Sequence, residues 1–143
     1  MVDTATTHQS PTYPVVGLYS FGTRTGHDPM SQFEFDVSKL RDPAGQKQFS
    51  ISNGMDTAVH AWLAQDDRVG QIVWICRLLA SDMLAKRMFM DREVAPASTW
   101  VSFSFKDYHG KFISPAVACI VAEALKADGF PPMVYHLSLQ ART

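Results

Sequence analysis

His109-Gly110-Lys111, followed by Ser114-Pro115, is the stretch of this 143-residue chain whose residue types and spacing could do chemistry. Glycine lets a backbone approach an anion closely. Lysine supplies a compact positive charge. A serine hydroxyl beside the free N–H groups of a helix start adds donors. Together they suit a small anion such as a phosphate. The same residues also make an ordinary glycine-containing loop with exposed polar side chains, and residue chemistry alone leaves both readings open. Gly22 and Gly26 frame a second glycine loop, Gly22 to Pro29. It is a weaker phosphate signal, better read as a plain strand-to-loop connection.

Other chemistries lack their signatures. The chain contains no Gly-x4-Gly-Lys-Ser/Thr loop, no Gly-x-Ser-x-Gly elbow and no His-Glu-x-x-His pair. Histidines 8, 27, 60, 109 and 136 are scattered, none at metal-ligand spacing from a cysteine or carboxylate. Neither a metal nor a cofactor is expected. A net charge of −1 gives no general attraction to nucleic acid or anionic membranes. Cys76 and Cys119 stand alone in apolar surroundings and read as buried thiols of a reducing compartment. Met1 to Pro14 lacks the charged and apolar regions of a signal peptide, and no apolar run is long enough to span a bilayer. A cytoplasmic protein is expected.

The elements that must position the loop follow from periodicity. Thr99 to Phe105 alternates large apolar and small polar residues, a strand with one buried face. Ser114 as N-cap and Pro115 at the first helical position open a helix over Ala116 to Lys126, with Gly129 as C-cap. Met133 to Leu137 is the next strand. Strand, helix and strand predict a right-handed parallel βαβ unit, with the candidate loop at a strand's carboxyl end, where open α/β sheets take ligands. Upstream, Val15–Phe21 and Phe33–Val37 read as strands, with Asp36 near the end of the second. Asp56 caps a helix carrying Val59, Trp62 and Leu63, and Val69 to about Asp91 forms a longer one. The expected fold is a single α/β domain, a mixed or parallel sheet with flanking helices, over residues 15–143. Residues 1–14 are expected to be a disordered leader.

From Leu18 to Leu139 the chain resembles the C-terminal domain of the RapZ/YvcJ family, the RNase adapter and nucleotide-binding regulatory proteins of bacteria. Ser20-Phe21-Gly22 with Gly26 is similar to the family's S-F-G…G, and Phe35 to Pro43 to its F-D-V-R-x-L-x-N-P. Asn53-Gly54-Met55-Asp56 is similar to T-G-x-D, and His109-Gly110-Lys111-Phe112-Ile113-Ser114 to the signature G-G-K-H-R-S. His136 to Leu139 resembles the closing H-R-x-L. The departures are Phe112-Ile113 for His-Arg, Ser38 for an arginine, Ala44 for a histidine, Leu137 for the last arginine and His109 for a glycine. The family's N-terminal P-loop ATPase domain has no counterpart in these residues.

The resemblance implies binding of an amino-sugar phosphate, a contribution to small regulatory RNA binding, and oligomerisation. Its ligand groups fall on Asp36, Gly110, Lys111 and Ser114, with His109 in a glycine's place; Ser20 and Gly22 join them as candidate anion-binding residues. The reading preferred here is a non-catalytic regulatory module that binds a small phosphorylated or anionic metabolite weakly, because positive groups of the signature are missing. One alternative is an RNA adapter using Arg77, Lys86, Arg87 and Arg92. Another is a small enzyme with His109 as general base and Asp36 as orienter or nucleophile. A third is a contact surface, and through it a homo-oligomer, built on Phe112 and Ile113.

Overall fold

The structure is a computed structural model and describes residues 16–25, 28–49, 52–90 and 101–140. The expected leader and Gly26 lie outside the described residues. Four strands form one sheet: β1 (Val16–Gly22), β2 (Phe33–Asp36), β3 (Val101–Asp107) and β4 (Pro132–His136), in the order β2-β3-β1-β4. Every pairing is parallel, so the expected mixed or parallel sheet is a parallel one. The helices are α1 (Thr57–Leu63), α2 (Asp67–Met90), α3 (Ile113–Ala127) and the single turn α4 (Leu137–Gln140).

Alternation assigns the two faces. Val16, Leu18, Val101, Phe103 and Phe105 point to one side and share a core with Val117, Val121 and Leu125 of α3 and Val69, Cys76 and Ala80 of α2. Phe33 and Phe35 stack on Phe103 and Phe105 with ring centroids 5.5 Å apart in each pair, which carries the buried face out to the edge strand. The chain leaves β1 for β2 in one direction across the sheet and leaves β3 for β4 in the other. Right-handed crossovers in opposite directions must lie on opposite faces. Accordingly Ser31 Oγ lies 2.6 Å from Ser104 Oγ, and the Gln32 N–H donates to Ser102 Oγ, on the side away from α3.

Asp56 caps α1 as its position suggests: its Oδ1 accepts from the Ala58 N–H at 2.9 Å. Asp56→Ala is expected to lower stability by about 1 kcal/mol, read as a shift in the urea midpoint. An unchanged midpoint would show that the cap contributes nothing. The opening of α3 differs from the sequence expectation. The helix starts at Ile113, Phe112 holds the cap position with no side-chain bond, and Pro115 sits inside the first turn. The reason is that β3 runs two residues past Phe105, to Asp107, whose carboxylate takes over the capping.

Candidate functional site

Asp107 ends β3 only 9% exposed. Its Oδ1 accepts from the Gly110 N–H, and its Oδ2 accepts from the Ser114 N–H at 3.2 Å. Ser114 Oγ adds a longer bond, 3.5 Å, to Oδ1. Burial pushes this carboxyl above its ordinary range, against the opposing effect of the two backbone donors. The donors that the sequence offers to an external anion are therefore engaged by a carboxylate of the chain itself.

The glycines are explained by a meeting of loops. Gly110 adopts a left-handed φ of 72°, and a Cβ there would run into the Gly22 nitrogen and the Ser138 side chain. A Cβ on Gly22 would strike the His109 carbonyl group. The Gly22 N–H donates to Ser138 Oγ at 2.7 Å, and the Arg24 N–H donates to the Tyr108 carbonyl at 3.0 Å. Close approach is required here by one backbone against another. A third glycine, Gly54, donates its N–H to the Lys111 carbonyl at 2.9 Å, while its own carbonyl meets His60 Nε2 at 2.6 Å. This turn before α1 therefore holds the backbone of Lys111 in place.

Beside these loops lies a cavity of about 140 Å³ lined by Ser38, Asp42, Ala44, Asp107, Tyr108, His109, Lys111, Phe112 and Ile113. His109 and Lys111 are both exposed at it, and the His109 ring meets Tyr108 edge-on at 4.8 Å. The remaining sequence candidates lie elsewhere. Asp36 is exposed and is not among the lining residues. Its Oδ1 accepts from the Ser38 N–H at 3.0 Å, and the bonds from Ser38 hold its carboxyl below the usual range, with Lys106 and Lys39 adding to the effect. Asp36 therefore does not line the cavity that His109 lines. Ser20 is fully buried, its Oγ 2.7 Å from His136 Nδ1, and His136 Nε2 lies 3.6 Å from Cys119 Sγ. Burial, with His60 nearby, lowers the His136 pKa. Burial also raises the Cys119 pKa, so these groups stay neutral and act as packing partners. Cys76 is fully buried and Cys119 half-buried, both as free thiols.

Phe112 and Ile113 fold inward. Ile113 is buried in the main core, and Phe112 packs against Phe49, Val59, Leu63 and Ala116. Phe112 stays partly exposed, and both residues line the cavity. Of the basic set, Arg77 makes a bidentate pair with Asp128, both bonds 2.7 Å, and Lys86 lies 3.1 Å from Asp82. The Arg87 side chain and Arg92 lie outside the described residues. A larger cavity, about 320 Å³, runs along the outer side of α2 past Trp74 and Leu78, and its only charged lining is that Arg77–Asp128 pair. It shares no lining residue with the smaller cavity. Among the described residues no cluster of three His, Cys, Asp or Glu could hold a metal ion, and no helix is long and apolar enough to cross a membrane.

The family model described as the RapZ C-terminal domain matches residues 14–140. The chain belongs to the RapZ C-terminal domain family. A protein named nucleotide-binding protein from Sphingopyxis alaskensis is 27% identical over 129 residues, which is 90% of this chain and 39% of that protein. A second with the same name, from Erythrobacter litoralis, is 27% identical over 135 residues, 94% of this chain and 43% of that protein. The chain thus spans about two-fifths of the length of these curated relatives. Of the positions at which the chain departs from the motifs it resembles, Ser38, Asp42, Ala44, His109, Phe112 and Ile113 line the small cavity, whereas Asn53 and Leu137 do not.

Asp107, Asp42 and Ser138 are site residues that sequence reasoning missed. Asp107 stands three residues before a glycine and seven before a helix-opening serine, a carboxylate-to-amide spacing that was the available signal. Ser138 carried none, because its partner Gly22 is 116 residues away.

Proposed function

We propose that this domain is a non-catalytic regulatory module that binds a small phosphorylated or otherwise anionic metabolite weakly, in the cavity beside β3. The observation that carries this reading is the placement of Lys111 and His109 at one cavity next to the carboxyl end of a parallel strand, where α/β sheets take ligands. Lys111 provides the fixed positive charge, and Ser38 and the Tyr108 side of the loop provide polar contacts. The neutral residues at 38, 44, 112 and 113 leave fewer charge-assisted bonds than the RapZ pattern offers, so weak affinity, on the order of micromolar to millimolar, is expected. The free thiols fit a reducing, cytoplasmic setting.

Calorimetric titration of inorganic phosphate, a hexose phosphate and a nucleoside monophosphate into the wild type tests the reading. At least one is expected to bind, and Lys111→Ala is expected to weaken it roughly tenfold or more, since a charge-assisted hydrogen bond contributes about 1.5–3 kcal/mol. Binding that survives Lys111→Ala unchanged would place the ligand elsewhere.

A further inference from the structure

Asp107 lines the same cavity as Lys111 while holding the Gly110 and Ser114 amides. A buried carboxylate with donors at both oxygens is what a bound carboxylate or phosphate would look like in this loop. We propose that Asp107 is the residue that determines the charge class accepted by the cavity: it is a resident anion that occupies the backbone donors, so an incoming ligand reaches only the side chains at the rim. The inference rests on the anion-binding reading above and deepens it. A phosphate dianion meets a like charge in the cavity lining and finds the Gly110 and Ser114 amides already engaged. A ligand that turns a hydroxyl donor to Asp107, with its negative charge toward Lys111, avoids both penalties. Asp42, the other carboxylate in the lining, differs in kind. It is exposed and caps its own turn, accepting from the Ala44 N–H at 2.9 Å.

The test titrates inorganic phosphate into the wild type, Asp107→Asn, Asp107→Ser and Asp42→Asn by calorimetry. Both position-107 variants are expected to bind phosphate at least roughly tenfold tighter than the wild type, a decade being ~1.4 kcal/mol. Asp42→Asn is expected to gain clearly less, because it relieves charge without releasing an amide of the loop. Absence of a gain at position 107, or an equal gain in Asp42→Asn, overturns the proposal. Should both position-107 variants fail to fold, amide exchange in the unliganded wild type decides. Slow exchange at Gly110 and Ser114, with both resonances following the Asp107 carboxyl titration, supports the resident carboxylate, and free-loop exchange at both overturns it. The two readings fail separately. Lys111-dependent binding with no gain at position 107 removes this inference alone, and a gain at position 107 over a wild type silent to phosphate, hexose phosphate and nucleoside monophosphate alike removes the other alone.

Discussion

Gly110→Ala is expected to destabilise the domain by about 2–5 kcal/mol. Two effects combine. A left-handed φ of 72° disfavours any residue with a Cβ, by roughly 1–2 kcal/mol. The added methyl must also displace backbone, because the Gly22 nitrogen and the Ser138 side chain stand where it would go. Overpacking of that kind typically costs about 1–3 kcal/mol. Gly129 supplies the comparison. Its φ is 90°, yet a Cβ there would meet nothing within 4 Å. Gly129→Ala therefore carries the conformational penalty alone, partly offset by the lower entropy of the unfolded chain, and about 1 kcal/mol is expected. Urea denaturation of both variants reads the difference. Equal losses would mean that the loops can part without cost, and the meeting of Gly22, Gly110 and Ser138 would lose its structural role.

Asp107→Ala is expected to cost about 2–4 kcal/mol at neutral pH. The substitution orphans the Gly110 and Ser114 amides and leaves the Ser114 hydroxyl without its acceptor, and each buried unsatisfied group costs about 1–3 kcal/mol. Relief from burying a carboxylate acts in the other direction. The donors win because three lose their partner while one charge is removed. The sign of the pH dependence follows from the raised carboxyl. The native state holds the Asp107 proton more tightly than the unfolded chain, so this group's contribution falls as pH rises from its ordinary value near 3.8 through the higher native one. The gap between wild type and Asp107→Ala should therefore be wider near pH 4 than near pH 7. Asp36, Asp66 and Asp128, all held low by hydrogen bonds, act in the opposite direction below about pH 3.8. They are common to both proteins and cancel in the difference. A gap that widens with rising pH would show that the bonds from Gly110 and Ser114 outweigh burial at this carboxyl.

The local elements were legible in the sequence because their causes are local. Alternation at Phe103 and Phe105, the Asp56 cap and the apolar stripe of α2 each concern residues within a few positions of one another. The parallel βαβ unit followed from the length of the helix between two strands. The family, too, was legible, carried by short motifs in the right order and spacing. Tertiary structure alone decided what the chemically suggestive residues do. Ser114 looked like a free N-cap until β3 brought Asp107 to its amide, and Ser20, a candidate ligand group on the first strand, is given His136 as its partner only by β4. Gly22 and Gly110 signalled a close approach, but only the folded chain shows that the approaching group is another backbone. Single-chain patterns register residue type and local spacing. Which donor finds which acceptor across 116 residues, as for Gly22 and Ser138, is set when the strand ends converge, because a buried polar group must take the partner that the packed fold leaves within reach.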